Sequence, residues 1–302
     1  MVRNHRAREP FRTCARWQEL RTGARGQASM IWLLALQLAA GQAQQAPRPA
    51  QQVIGPAQHY ENAKKDYAQR KFSEADNEVN IALHESPYMV PALVLKSRLA
   101  TFAHRPDVAK SCLITAITVD PQSEEAQFYL GLFYYMQNEF KLAISPLQTA
   151  QTLSPKSSLP VFYLAMTHQA LGDDNNALEL YQQAEDLSPG SSPQSAEILV
   201  AYGRLLLSLG RTQDSIDKDR RAIERDPDSR DAHYELAKGL EQEGDFRNAA
   251  LEGEQALKLP ELDTRDADIH YILATVYRKL NEPAVARQHL EKFQAAQKPA
   301  PN

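Results

Sequence analysis

The stretch FYLGLFYY, residues 128–135, places five aromatic rings within eight residues of an otherwise polar chain. The rings belong to Phe128, Tyr129, Phe133, Tyr134 and Tyr135. On a helix these side chains point in several directions, and the strict alternation of a half-buried strand is absent. The stretch therefore predicts a short element that is packed on more than one side.

Prolines around this stretch recur at a fixed spacing. Pro87, Pro121, Pro155 and Pro189 follow one another at intervals of 34 residues, and Pro227 follows after 38. The loop PGSSP, residues 189–193, accommodates the four additional residues. Because a fixed period of this length marks a structural repeat, the chain is predicted to consist of stacked units.

Small residues and turn residues recur with the same period. Pairs of small residues seven apart stand upstream of each proline, as in Ala109 and Ala116 or Ala143 and Ala150. Between the two helices of a unit lies a turn signal such as MQNEF, ALGDD or QEGDF. The left-handed conformation that closes a helix is predicted at Asn138, Gly172, Gly210, Gly244 and Asn281. Each unit is therefore predicted to be a helix, a tight turn, a second helix and a proline-terminated loop.

The repeat resembles the tetratricopeptide repeat, most closely in residues 126–155 and 232–260, where the small, aromatic and proline positions all match. The resemblance implies an all-α fold, a right-handed superhelical solenoid of about seven helix-turn-helix repeats. This solenoid is predicted to span residues 56–296 and to be followed by a tail at 297–302. The units are predicted to begin near residues 56, 90, 124, 158, 196, 230 and 267.

In this register the opening stretch has two faces. Leu130, Gly131 and Tyr134 are predicted to pack against Ala143, Leu147 and Ala150 of the second helix. The other face carries Phe128, Leu132 and Tyr135, and the resemblance implies that the corresponding face of every first helix lines a concave groove. The predicted partner-binding residues are Tyr60, Lys64, Tyr67, Arg98, Phe128, Leu132, Tyr135, Phe162, Met166, Gln169, Arg204, Tyr234, Lys238, Tyr271 and Arg278.

This groove sequence predicts the chemistry of a partner. An apolar centre lies between basic flanks, so we expect an extended or helical segment with apolar anchors and neighbouring acidic residues. An alternative interpretation is that the aromatic residues only pack between neighbouring first helices. The tail clamp known in the family requires Lys and Asn at these turns, and Tyr60 and Lys64 do not match it.

The formal charge is distributed unevenly between the N-terminus and the remainder of the chain. Residues 1–29 carry seven Arg and two Glu, a net charge of +5, whereas the rest of the chain has a net charge of −9. Because nucleic-acid binding requires Lys and Arg that neutralise phosphates, no nucleic-acid partner is predicted for this acidic body.

The N-terminus has the order of a secretory signal peptide. The basic region to Arg25 precedes the apolar run MIWLLALQLAA, which begins at Met30, and small residues follow in GQAQQAP. A leader at 1–43 with cleavage after Ala43 is predicted, followed by a Gln/Ala/Pro-rich linker at 44–55. The run is too short for a stable membrane span. We expect export to the periplasm or secretion, with a cytoplasmic protein as the alternative.

No catalytic constellation is visible in the sequence. Phosphate-binding loops, HExxH and GxSxG motifs are absent, and neither Cys14 nor Cys112 belongs to a CxxC pair or a metal cluster. His59, His233 and His270 occupy equivalent repeat positions, which suggests packing or solvated sites. No catalytic residue, cofactor or metal site is therefore predicted, and the chain is not expected to be an enzyme.

The sequence thus favours a scaffold that binds a protein or peptide in the concave groove, in cell-envelope assembly or export. Two alternatives stay open: a self-assembling structural array, for which weak self-association is the expected sign, and an accessory subunit of an envelope enzyme complex.

Overall fold

In a computed structural model the chain is described at residues 54–188, 190–260 and 264–297. This part of the chain forms fourteen α-helices and no β-strand. The helices are α1 Pro56–Ala68, α2 Phe72–Glu85, α3 Val90–Phe102, α4 Pro106–Val119, α5 Glu124–Met136, α6 Phe140–Leu153, α7 Ser158–Ala170, α8 Asp174–Asp186, α9 Pro193–Ser208, α10 Thr212–Arg225, α11 Arg230–Glu243, α12 Phe246–Ala256, α13 Asp266–Lys279 and α14 Pro283–Ala296.

The helices form seven pairs that stack in chain order. Each odd-numbered helix packs against the even-numbered helix that follows it, and each even-numbered helix packs against the next pair. From α3 onward, consecutive odd-numbered helices also contact one another. These contacts confirm the predicted all-α helical repeat fold, and each pair begins within three residues of its predicted start. The predicted leader and nearly all of the linker lie outside the described residues.

The turn between the two helices of a pair contains a left-handed residue in every repeat. The predicted positions Asn138, Gly172, Gly210, Gly244 and Asn281 all have positive φ. The first two repeats use Arg70 (φ 58°) and His104 (φ 52°), which the sequence analysis did not identify. Left-handed geometry costs such side chains about 1–2 kcal/mol, so their identity gives no turn signal.

Small residues allow the two helices of a pair to approach closely. A Cβ on Gly131 would lie 2.4 Å from Leu147 Cγ and 3.2 Å from the Leu147 backbone nitrogen. Ala143, Leu147 and Ala150 are fully buried, and Tyr134 packs on the same cluster. These contacts agree with the predicted packing of the third repeat. Leu130 instead packs with the cluster that contains Leu113 of the preceding repeat.

The aromatic stretch of α5 contacts the repeats on both sides. Phe133 is buried with Leu113 of α4, and Phe128 packs edge-on against Tyr163 of α7 with ring centroids 5.6 Å apart. Tyr135 also contacts Tyr163, at 5.8 Å. The several apolar directions of this stretch are therefore explained by packing between repeats.

Histidines at one repeat position connect the two helices of a pair. His59 Nδ1 lies 2.6 Å from a carboxylate oxygen of Glu78, and His233 makes the same contact with Glu252. In the seventh repeat the partner is a second histidine, with Nδ1 of His270 3.0 Å from Nδ1 of His289. Each pair is separated by 19 residues. These histidines are packing residues rather than solvated sites.

The sixth and seventh repeats are joined by a buried arginine. The Arg230 side chain, which begins α11, donates from Nη1 to the carbonyl oxygen of Leu259 at 2.7 Å and from Nη2 to the carboxylate of Asp266. Beside it, the carboxylate of Asp231 accepts hydrogen bonds from the backbone and side chain of Thr264. The connection between α12 and α13 is thereby fixed to the start of α11.

Candidate functional site

Three clefts follow the face of the first helices on which the groove was predicted. The first cleft, about 440 Å³, lies at the ends of α1, α3 and α5. The second, about 370 Å³, lies between α5, α7 and α9, and the third, about 320 Å³, lies between α7, α9 and the start of α11. The face is therefore a series of concave sites, as a binding groove requires.

The structure brings some of the predicted groove residues together and not others. Eight of them line the three clefts: Tyr67, Arg98 and Leu132 the first, Tyr135, Met166, Gln169 and Arg204 the second, and Phe162, Met166 and Arg204 the third. The remaining seven lie outside them: Tyr60, Lys64, Phe128, Tyr234, Lys238, Tyr271 and Arg278.

Phe128 and Phe162 require a correction, because they are core residues. Their side chains are only 8% and 2% exposed. Phe128 packs with Leu164 of the next first helix, and Phe162 packs with Tyr181 and Ile198. For these two rings the alternative interpretation, packing between neighbouring helices, is therefore correct. They support the groove wall and are too deeply buried to anchor a ligand.

Arg98 is the most distinctive side chain of the first cleft. Its guanidinium carbon lies 4.5 Å from the ring centroid of Tyr67 and 4.9 Å from that of Tyr129, so rings from the first and third repeats both contact it. The side chain is 29% exposed, and the nearest carboxylate, Glu125, approaches Nη1 only to 4.0 Å. Among the described residues no hydrogen bond engages this guanidinium, so its donors are available to a ligand.

Three other cations of the predicted groove, Lys64, Arg204 and Lys238, are already compensated. Glu235, which is buried, accepts from Nε of Arg204 at 2.9 Å and from Nζ of Lys238 at 2.5 Å. At the N-terminal end, Nζ of Lys64 donates to both carboxylate oxygens of Glu61 at 3.0 Å. The sequence predicted acidic partner residues beside both basic flanks of the groove. The structure favours a single position for such a residue, at Arg98.

A buried carboxyl group lies behind Glu235. Asp219 of α10 is fully buried, and its Oδ2 accepts a long hydrogen bond of 3.4 Å from Ser215. Its Oδ1 faces Gly203, where a Cβ would be only 2.6 Å away. Burial, with Glu235 adding to it, raises the pKa of Asp219 well above its ordinary value. This carboxyl group is therefore protonated more easily than that of an exposed aspartate.

Tyr129, Tyr135 and Tyr234 keep their hydroxyl protons at neutral pH. Burial raises the pKa of Tyr129 and of Tyr135 above the ordinary value, and it raises the pKa of Tyr234 to about 12. In the second cleft the hydroxyl of Tyr181 donates to Gln169 Oε1 at 2.6 Å and so orients that amide. The groove thus offers neutral hydroxyl and amide groups beside apolar surface.

Several cleft residues were missed in the sequence analysis. Phe102 and Met136, both exposed, complete the first cleft, and Tyr129 forms one side of the arginine site. Phe102 and Met136 stand 34 residues apart at the ends of α3 and α5, so the repeat period could have identified them. The third cleft also has a carboxylate rim that includes Asp228 and Asp231.

The described residues contain no cluster of three or more metal-ligating side chains. Among the helices described between residues 54 and 297, none combines the length and the apolar character that crossing a bilayer requires.

Two family models, both described as tetratricopeptide repeat, match the chain. One covers residues 158–228 and the other covers 94–158 and 234–301, together more than half of the sequence. The chain is a tetratricopeptide repeat protein. Such repeats mark the protein as a protein–protein interaction scaffold, and the family is typically non-catalytic. No curated protein matches this tetratricopeptide repeat protein in sequence.

Solved structures share the fold at low identity. A chain of the APC/C hetero-tetramer Cut9–Hcn1 aligns with a TM-score of 0.63 and 21% identity. The alignment covers 79% of this chain and 44% of that chain. This tetratricopeptide repeat protein therefore spans less than half of that relative. PilF of Pseudomonas aeruginosa aligns with a TM-score of 0.61 and 13% identity over 69% of this chain and 91% of PilF. A tetratricopeptide repeat protein of Parabacteroides merdae aligns with a TM-score of 0.59 and 12% identity. The alignment covers 81% of this chain and 94% of that protein.

Proposed function

We propose that this protein is a non-catalytic scaffold that binds an extended or helical segment of a partner protein in the groove of its first helices. The observation that carries the proposal is Arg98, a partly exposed guanidinium without a hydrogen bond to the described protein, set in an apolar cleft. The segment places an apolar side chain in the first cleft and a neighbouring carboxylate on Arg98.

The enclosure of Arg98 supports this recognition. The guanidinium of Arg98 lies over the rings of both Tyr67 and Tyr129, which hold it by cation–π contacts, and none of its N–H groups is hydrogen-bonded to the described protein. Because the side chain is already held, little rotamer freedom is lost when a carboxylate binds. A planar carboxylate can accept two parallel N–H groups of the fork, a geometry that Lys lacks.

The cleft supplies the apolar part of the interaction. Leu132, Phe102 and Met136 surround the space beside Arg98, and the two latter side chains are more than half exposed in the free protein. Covering this surface removes apolar area from water at roughly 25 cal/mol per Å². The adjacent carboxylate then sets the orientation and the register of the bound segment.

Selection of random peptides displayed on phage against the purified protein tests this proposal. The expected winners carry Asp or Glu next to an apolar residue. Arg98→Ala is expected to weaken the synthetic form of such a peptide about tenfold or more, since a charge-assisted hydrogen-bonded pair is lost. Arg98→Lys is expected to restore only part of the affinity, which titration calorimetry measures.

Arg287→Ala, an exposed arginine on α14, is the matched control and should bind as the unaltered protein does. Peptides that bind equally well to the Arg98→Ala protein, with its circular dichroism unchanged, would refute the groove assignment.

We also infer that the protein is exported and acts in the cell envelope, in assembly or export. The basic, apolar and small-residue order at residues 25–43 supports this inference. N-terminal sequencing of the protein from its native host is expected to give a mature chain that begins near Gln44. A cytoplasmic protein that retains residues 30–43 would contradict export and leave the groove proposal intact.

A further inference from the structure

The second cleft, between α5, α7 and α9, combines apolar surface with hydrogen-bond donors. Its apolar lining includes Met166, Ala170 and Ala201. Gln169 and Arg204 bring donor groups into the same cleft, and no Asp, Glu or Lys lines it. The cleft therefore suits a ligand that offers hydrogen-bond acceptors.

The amide of Gln169 is held in one orientation. The Tyr181 side chain is fully buried, and its hydroxyl donates to Oε1 of Gln169 at 2.6 Å. Burial raises the pKa of Tyr181, so the hydroxyl keeps this proton at neutral pH. Because a buried hydroxyl proton needs an acceptor, the carbonyl end of the amide stays directed to Tyr181. The Nε2 end is left over, and within the described residues it donates to no protein group.

Arg204 offers further donors whose charge is already compensated. Its Nε donates to the buried carboxylate of Glu235 at 2.9 Å. The side chain is 50% exposed, and neither Nη group makes a hydrogen bond to the part of the chain that the structure describes. A neutral carbonyl oxygen suits these donors, because a second carboxylate would be repelled by Glu235.

We propose that Gln169 and Arg204 bind backbone carbonyl oxygens of the partner segment, which crosses the second cleft in an extended conformation. This inference rests on the proposed function and chooses the extended form over the helical one. In an α-helix the backbone carbonyls accept hydrogen bonds from the helix itself, and only the last four are free. An extended chain presents unpaired carbonyl groups along its whole length. Donors on two neighbouring first helices, α7 and α9, therefore match an extended segment.

The two clefts predict the spacing of the contacts along the segment. Arg98 on α3 and Gln169 on α7 are separated by two steps between neighbouring first helices. This separation is roughly 20 Å at ordinary helix packing distances. An extended chain covers it in about six residues, whereas a helix needs about thirteen. We expect the acidic residue that binds Arg98 to lie about six residues from the carbonyl groups bound in the second cleft.

Variants of the second cleft test the donors. The probe is the synthetic peptide of highest affinity from phage selection on this protein, and titration calorimetry with the full chain gives its Kd. Gln169→Met combined with Tyr181→Phe removes the amide donor without leaving a buried hydroxyl unpaired. We expect this double variant to bind the peptide roughly fivefold more weakly, the share of one hydrogen bond. Gln294→Met, at an exposed position on α14, is the matched control and should bind as the unaltered protein does.

Proline within the peptide tests the conformation. Proline keeps its backbone carbonyl but breaks the interior of a helix, which would weaken a helical peptide more than about a hundredfold. Proline is placed in turn at the positions between the acidic residue and the residues of the second cleft. Because proline is compatible with an extended chain, at least one of these peptides should keep its Kd within about threefold. Loss of binding at every position would overturn the extended conformation.

The Arg98→Ala protein separates this inference from the groove assignment. A peptide that Arg98→Ala weakens, but that the double variant binds with unchanged Kd, overturns this inference and leaves the proposed function standing. A peptide that the Arg98→Ala protein binds equally well refutes the groove assignment and this inference with it. If the double variant loses its helical circular dichroism, Tyr181→Phe alone repeats the test. It should weaken binding about twofold or more, because the amide is then free to rotate.

Discussion

Replacing Arg230 with alanine is expected to lower the free energy of unfolding of the last two repeats by about 2–4 kcal/mol. The side chain is only 4% exposed, and it supplies the hydrogen bond to the Leu259 carbonyl oxygen and the ion pair with Asp266. Its removal leaves the partly buried Leu259 carbonyl oxygen without this donor and opens a cavity beside the start of α11. Asp266 is half exposed, so water replaces most of that ion pair.

Hydrogen exchange measures this effect where it should occur. In a stack of repeats stability is nearly a sum of nearest-neighbour contributions, so α13 and α14 should lose protection while α1–α10 keep it. Arg287→Ala, the exposed arginine of α14, should change stability by less than about 0.5 kcal/mol. Equal loss of protection along the whole chain would show that Arg230 does not act as a local connection.

Acidification is expected to weaken the seventh repeat selectively. Burial lowers the pKa of both His270 and His289, and the charge of a protonated His289 lowers the pKa of His270 further across the 3.0 Å contact. The surrounding charged and titratable groups are Glu254, which contacts His289 Nε2 at 3.2 Å, together with Asp266, Tyr277 and Lys292. Two protonated rings cannot share this contact, because both Nδ1 atoms would then donate.

The direction of this pH effect on the free energy of unfolding follows from proton binding. In the unfolded chain these histidines take up protons as the pH falls below about 6.5, whereas the folded repeat resists protonation. The free energy of unfolding should therefore fall below this pH by as much as about 1.4 kcal/mol per unit for each histidine, until the folded pKa is reached. Urea unfolding monitored in the seventh repeat between pH 7.5 and pH 5 measures the loss, a window chosen around the ordinary histidine pKa of about 6.5.

Two variants separate this mechanism from general acid sensitivity. His289→Gln should flatten the pH dependence of the seventh repeat. In the sixth repeat, burial opposes protonation of His233, but the hydrogen bonds to Glu252 and the Pro227 carbonyl outweigh it and raise its pKa. His233 therefore adds stability below about pH 6.5 that is lost as the pH rises. His233→Gln should steepen the acid loss, and a shallower loss would contradict this assignment.

The repeat architecture was predictable because one packing problem is solved seven times. The sequence pairs Gly131 with Leu147 and places Asn138 at a helix end, and the physical reasons, close approach and left-handed backbone, act within some twenty residues. The period then extends such local signals along the chain. The left-handed conformation of Arg70 and His104 was not predicted, because a residue that does not favour this conformation is tolerated once the surrounding helices fix the backbone.

The groove was less predictable because neighbouring repeats share each first-helix position. The register assigned Phe128 and Tyr135 to one face, but Phe128 is covered by Leu164 of the next helix. The ion pairs of the groove were even less predictable. Arg204 and its buried partner Glu235 are 31 residues apart, and only the packing of adjacent repeats brings them within 2.9 Å. A helical register gives the side of a helix, whereas burial and ion pairing depend on the neighbouring helix.

The stacking of Tyr67, Arg98 and Tyr129 has a mechanical consequence. A stack of repeats bends by changing the separation of its layers, and here a single guanidinium fixes the separation of layers one and three from the middle layer. Bending that separates two of these repeats must break a cation–π contact of Arg98 and expose it to water. This end of the stack should therefore be stiffer than the rest. We expect elastic deformation under load to concentrate farther along the chain. A ligand carboxylate bound to Arg98 should stiffen the first three repeats further.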